Sequence, residues 1–199
     1  MGVVPTTVQL IVVRHGQSTW NADGRWAGQA DPPLSRLGRR QAAELAQRCR
    51  DAGIGAVSCS DLSPARETAA IVAKALGLAE PAESADLRER WSRTLAGLTG
   101  TEIETAFPGA LTAWRDGTST ALPGDSEPLE LFSSRVQRGL KSAAVLAPVV
   151  LVVAHAGVLR AVAELTATAT AGRPLNADGR RIALAGDQLT DDGPAFGSV

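Results

Sequence analysis

The chain has 199 residues but no tyrosine, one methionine, two cysteines and two histidines. Each scarcity excludes something. Cys49 and Cys59 are too few for a disulfide framework and form no CxxC pair, which fits a reducing cytoplasm. No apolar run approaches the ~20 residues a membrane span needs. The longest, Ala143 to Ala154, is interrupted by Pro148. Met1 to Thr7 has no basic stretch leading into an apolar one, so no secretory signal is expected. Net charge is −1, leaving no general attraction for nucleic acid or an anionic membrane. Lys74 and Lys141 are the only lysines among 20 basic residues, so an isolated arginine carries little meaning outside a motif. The phosphate-cradling GxxxxGK[ST] and GxGxxG loops, the zinc motif HExxH and a nucleophile elbow around Ser18 are also missing.

What remains is ordinary globular material, 44% apolar and 21% charged. A chain of this size buries about 70% of its unfolded surface, enough for a core without disulfides or a structural metal. One domain spanning residues 1–199 is expected, with no internal repeat and no linker. Val8 to Val13, Ala56 to Cys59 and Val149 to Ala154 are short and rich in β-branched residues, and read as strands. Ser35 opens a helix that ends before Gly53, and Ser63-Pro64 reads as a cap and first helical position of another. Thr99 to Glu102 has capping-box spacing. Pro128 to Leu146 and Val158 to Thr168 read as helices, Asp116 to Glu127 as loop, and Ile182 to Leu184 as a last strand. Alternating strands and helices predict a three-layer α/β/α fold around a mostly parallel central sheet. Ligands in such sheets bind beyond the carboxyl ends of the strands.

Both histidines sit at that edge. His15 ends Val12-Val13-Arg14-His15-Gly16, and His155 ends Val152-Val153-Ala154-His155-Ala156-Gly157. A zinc site would need a third ligand, and Arg14 beside His15 repels a cation. A guanidinium there favours an anion, whose oxygens its fork matches.

Arg14-His15-Gly16-Gln17-Ser18-Thr19-Trp20-Asn21 resembles the RHG signature of the histidine phosphatase superfamily, in its phosphoglycerate-mutase-like branch. The resemblance continues in order through Leu34 to Ala42, Ser60 to Ala69, Leu87-Arg88-Glu89 and Val152 to Gly157. It implies that His15 is the nucleophile, forming a phosphohistidine that water hydrolyses. It implies that Arg14, Arg66 and His155 hold the phosphoryl oxygens and that Glu89 protonates the leaving oxygen. Gln17, Asn21, Gly28 and Ala156 match positions that line the phosphate pocket. No cofactor and no metal are implied.

The chain departs from the family at Arg93 to Ala96, where a Trp-Glu-Gly usually precedes Leu-Thr, and at Ala156, usually glycine. The function implied is a metal-independent phosphomonoesterase acting on a small-molecule phosphate monoester, as a monomer or a homodimer. A phosphoglycerate mutase and a non-catalytic phospho-ligand binder are the alternatives. Sugar phosphates, phosphorylated glycerates and nucleotide-derived phosphates all stay open as substrates. Phe107 to Trp114 resembles phosphatases of the glucosyl-phosphoglycerate kind. Trp91 and Trp114 are read as core or rim packing, Trp26 stays open, and Arg90, Arg93 and Arg115 are read as solvated surface.

Overall fold

Val8–Arg14 forms strand β1, whose alternating side chains enter two different cores because successive residues of a strand face opposite ways. The computed structural model describes residues 7–116, 119, 121–168 and 174–196. Along the chain follow α1 (Thr19–Ala22), α2 (Arg36–Cys49), β2 (Ala56–Ser60), α3 (Ser63–Leu76), β3 (Ala82–Ser84) and a 3-10 turn over Ala85–Leu87. Then come α4 (Gly100–Ala106), α5 (Ala110–Asp116), α6 (Leu129–Ala144), β4 (Val149–Ala154), α7 (Ala156–Leu165), β5 (Gly179–Ala185) and β6 (Gln188–Pro194).

The strands form one six-stranded sheet in the order β3-β2-β4-β1-β5-β6. The β3-β2-β4-β1 portion is parallel, and the β5-β6 hairpin adds antiparallel at the β1 edge. Ile11, Val13, Leu151 and Val153 pack on one face against Leu45 and Cys49 of α2 and Ala69 and Val72 of α3. Leu10, Val12, Val150 and Val152 pack on the other against Phe132, Val136 and Leu140 of α6 and Val158 and Val162 of α7. These are the three layers the alternation predicts. A smaller cluster of Leu95, Ile103 and Leu111, with Trp26 and Trp114 against it, brings together the short helices α4 and α5. Among the described residues no helix is long and apolar enough to cross a membrane.

Five local readings change. Ser63 is not the cap of α3; Leu62 holds that position, with no side-chain cap bond. Asp31, from a distant loop, does the cap's chemistry instead, accepting from the Ser63 N–H at 2.5 Å and from its hydroxyl at 2.7 Å. The loop after His15 contains α1, capped by Ser18, whose hydroxyl and backbone exchange hydrogen bonds with Asn21. Helix α7 begins at Ala156, two residues earlier than its apolar pattern, with His155 as its N-cap. The last strand, β5, is longer than its apolar core and turns through Gly186 (φ 59°) into β6, whose Thr, Asp and Gly residues carry little strand signal. Asp116, read as the first residue of a loop, is the last residue of α5.

Gly16 and Gly38 let the β1 loop lie directly on α2. A Cβ on Gly38 would overlap the Gln17 carbonyl, which already accepts the Ser35 N–H at 2.8 Å. Gly38→Ala would gain about 1 kcal/mol of helix propensity and still lose net stability, by about 1–3 kcal/mol, from that overlap. Denaturant unfolding measures it; an unchanged midpoint would mean the Gln17 backbone can retreat at no cost.

Candidate active site

The parallel ladder delivers both histidines to one place. Arg14 pairs with Ala154, and one residue further the His15 N–H donates to the Ala154 carbonyl at 2.9 Å. The two imidazoles lie 5.0 Å apart, inclined at 67°. His15 Nδ1 lies 2.5 Å from the Gly16 carbonyl oxygen. A carbonyl can only accept, so Nδ1 carries the proton and Nε2 presents its lone pair. The Gly16 N–H in turn donates to Thr68 Oγ1 at 3.0 Å, anchoring the loop to α3. Asn176 Nδ2 donates to the His15 carbonyl at 2.9 Å.

Arg14 and His155 are both buried beside His15. Arg14 is held in place by the Pro174 carbonyl at 2.9 Å and by Asn21 Oδ1 at 3.0 Å. His155 Nε2 is buried and has no hydrogen-bond partner among the described residues. Burial, with the nearby Arg14 and Arg135 charges adding to it, holds the His155 pKa well below the usual histidine range. Its surroundings therefore favour the neutral ring.

Glu89 faces them from the segment after the 3-10 turn. Its Oε1 accepts the Arg90 N–H at 2.8 Å and its Oε2 accepts the Gly157 N–H at 3.0 Å. Burial pushes the Glu89 pKa up, and those two N–H groups only partly oppose the shift. The proton is thus retained to higher pH than on an ordinary carboxyl group. This is the direction a general acid requires.

A cavity of about 490 Å³ joins these groups. Arg14, His15, Asn21, Gly28, Glu89, His155 and Ala156 line it, as do Trp26, Trp114, Arg25, Arg90 and Arg160. Gly28 has φ +53°, a conformation that suits glycine at this turn. Two expected residues are elsewhere. Gln17 does not line the cavity, because its side-chain carbonyl accepts from the Ser35 hydroxyl at 2.8 Å. Arg66 does not line it either; its side chain is half exposed, with Nη1 3.9 Å from Glu83. Arg90 is not solvated surface: it is buried, and its Nε donates to the Glu127 carbonyl at 2.7 Å. Arg93 is exposed as expected, and the Arg115 side chain lies outside the described residues. Trp114 packs edge-on against Trp26 at 5.0 Å, so both pack and both wall the cavity. Among the described residues no group of three or more His, Cys, Asp or Glu side chains is disposed to hold a metal ion.

The sequence model of the histidine phosphatase superfamily (branch 1) matches residues 10–192. The chain belongs to that superfamily. A metal-independent phosphoserine phosphatase of Arabidopsis thaliana is 36% identical over 174 residues, covering 85% of this chain and 73% of its own. Phosphoglycerate mutase-like protein 4 of the same plant is 34% identical over 160 residues, covering 78% and 70%. A mycobacterial glucosyl-3-phosphoglycerate phosphatase, solved as a complex with VO3, superposes with a TM-score of 0.80 at 27% identity, covering 94% of this chain and 97% of that one. Bacillus stearothermophilus YhfR does so with a TM-score of 0.81 at 25% identity, covering 96% and 98%. Two of these relatives are named as phosphatases, which supports phosphatase activity.

Gly157 allows Glu89 its place, since a Cβ on residue 157 would overlap the Glu89 carboxylate. In Gly157→Ala the helix itself would be favoured by about 1 kcal/mol, so thermal stability should hold. Displacing the carboxyl group by about 1 Å should lower kcat on an alkyl phosphate by about 10²-fold. Steady-state kinetics beside a melting curve check this, and full activity would show that Glu89 can move without consequence.

Proposed function

We propose that the protein is a metal-independent phosphomonoesterase that works through a phosphohistidine on His15. The observation that carries this reading is the Nδ1 contact to the Gly16 carbonyl, which puts the lone pair of the neutral His15 ring on Nε2, the atom a nucleophile needs, on a residue that lines the cavity. Nε2 attacks phosphorus while the bond to the leaving oxygen breaks. The Glu89 proton passes to that oxygen, so the product leaves as an alcohol. Water then attacks the phosphohistidine, the Glu89 carboxylate takes its proton, and the P–N bond breaks to release phosphate. Arg14 and neutral His155 would meet the phosphoryl oxygens, His155 through its unpartnered Nε2. Asn21 fixes the Arg14 fork, while Gly28 and Ala156 complete the wall. Arg66 would join the grip by turning away from Glu83, a pair that is surface-exposed and weak.

The cavity is much larger than a phosphate and lies within the range that encloses a whole metabolite. Four arginines line it against two glutamates, Glu89 and Glu164, which favours an anionic substrate beyond its phosphoryl group. Although the sequence holds no contiguous basic run in this region, Arg25, Arg90 and Arg160 converge from separate segments. The reading is therefore a small phosphomonoester whose leaving group carries a carboxylate. The names of two relatives, acting on phosphoserine and glucosyl-3-phosphoglycerate, support that class.

His15→Ala should lower turnover by about 10⁴-fold or more and abolish an acid-labile phosphoenzyme, with the fold intact. The wild type, assayed with EDTA, should release inorganic phosphate undiminished from a panel of carboxylate-bearing monoesters. Activity kept by folded His15→Ala would refute the nucleophile. Isomerisation of a phosphoglycerate outpacing phosphate release would make the protein a mutase.

Glu89→Gln should slow an alkyl phosphate by about 10²–10⁴-fold and p-nitrophenyl phosphate far less, because nitrophenolate leaves without a proton. In the wild type, kcat on the alkyl ester should fall as pH rises through the raised Glu89 pKa, since the acid form is the active one. Equal losses on both esters in Glu89→Gln would assign the proton to another group.

A further inference from the structure

The Glu89 segment is irregular backbone between a 3-10 turn and the cavity wall, a kind of structure that does not hold its own position. Gln29 Nε2 donates to the Glu89 carbonyl at 3.0 Å, but three carbonyls of the segment share donors on one side chain. Arg135, in the second turn of α6, donates from Nη1 to the carbonyls of Asp86 at 3.0 Å and Arg88 at 2.7 Å. From Nη2 it donates to the Glu89 carbonyl at 2.9 Å. Its two remaining donors take the Glu127 carboxylate, Nε to Oε1 at 2.7 Å and Nη2 to Oε2 at 2.8 Å. All five guanidinium N–H groups are used. Glu127 ties the far end of the same segment, since its Oε2 accepts the Trp91 N–H at 3.3 Å and its backbone N–H donates to the Trp91 carbonyl at 3.0 Å.

We propose that Arg135, neutralised by Glu127, is the positioning residue that holds Glu89 at the distance and orientation its proton transfer needs. Arg135 does not line the cavity, so it acts through Glu89 and is not itself catalytic. Three features of the structure fit that role. The pair is buried, with side-chain exposures of 12% and 8%. A buried pair is a poor source of net stability and a good source of a unique geometry. Helix α6 is pressed onto the same segment at Gly139, where a Cβ would come within 2.9 Å of Leu87, and Arg138 meets Asp86 at 3.0 Å. The three carbonyls also need donors in a fixed planar fork, which a lysine with three donors on a flexible stem cannot reproduce.

This inference rests on the proposed role of Glu89, and the test separates the two. Arg135→Lys, Glu89→Gln and the double variant are compared on an alkyl phosphate and on p-nitrophenyl phosphate. Arg135→Lys should lose about 10–100-fold in kcat on the alkyl ester and less than about threefold on the nitrophenyl ester. Inhibition by orthovanadate, which reports the His15 side of the cavity, should be unchanged. In the Glu89→Gln background the same lysine should cost nothing further, because the two changes share one cause. Equal losses on both esters, or full additivity in the double variant, would reduce Arg135 to a structural residue. If Glu89→Gln alone shows no dependence on the leaving group, the acid assignment fails instead, and this proposal with it. Glu127→Gln is carried alongside as a variant that keeps the side-chain volume. Should Arg135→Lys not fold, Glu127→Gln decides: the same ester-selective loss sustains the proposal, and an unselective loss or none overturns it.

Discussion

The parallel pairing of β1 with β4 is the constraint from which the candidate site follows. Residues 140 positions apart in the chain become neighbours because Arg14 is in register with Ala154. The ladder extends one bond beyond the named strands, from the His15 N–H to the Ala154 carbonyl. Shifting a strand by one residue sends every side chain to the other face. Here a slip would exchange Ile11 and Val13 with Leu10 and Val12 between the two cores and would separate the imidazoles as well. Core packing and histidine placement are thus two consequences of one register.

From that ladder the two histidines acquire different chemistry through what each touches. His15 has a carbonyl on Nδ1, so its lone pair is at Nε2. His155 caps α7, is buried, and sits near Arg14 and Arg135, both of which disfavour a further positive charge. A protonated His155 would grip a phosphoryl group more strongly but would also hold the phosphate product. In the proposed mechanism the neutral ring would donate a weaker hydrogen bond that forms and breaks with turnover. Glu89 follows the same physics with opposite sign, since burial disfavours its negative form.

The strands and the helices α2, α3, α6 and α7 were legible in the sequence because burial on a strand or helix leaves a period that can be read. His15, His155 and Glu89 were legible for a narrower reason: each lies within a short ordered block beside a strand end or turn. Other parts left no such trace. The Asp31 carboxylate replaces a cap at Ser63 across 32 residues, and no local spacing encodes that. Arg90 looks like one more arginine in an arginine-rich chain until the Glu127 carbonyl is seen to take it inside. Gln17 stands within the strongest motif, yet the Ser35 hydroxyl holds its side chain away from the cavity. Arg66 sits in the first turns of α3 as expected, but its side chain meets Glu83 on β3. A motif identifies a residue and its backbone position; the rotamer is settled by neighbours that the motif does not contain.

The same distinction separates the chemistry of the site from its selectivity. In the proposed function the phosphoryl group is met at β1, β4 and the start of α7, where ladders and helix geometry allow little variation. The leaving group would meet Trp26, Arg25 and Arg90 from loops, Trp114 from the short helix α5, and Arg160 from α7. Arg160 lies over the Trp114 ring at 3.9 Å and also donates to the Trp114 carbonyl at 3.1 Å, so its position depends on α5. In that reading Glu89 serves both ends, and it is carried by irregular backbone. Its hydrogen bonds to Gly157 and Arg90 orient the carboxylate, while the bonds of Arg135 fix the chain that bears it. Helix α6 thereby transmits the rigidity of the sheet to a segment that has none of its own. Variation in α4 and α5 would then change what fits the cavity without moving the Glu89 carboxyl group.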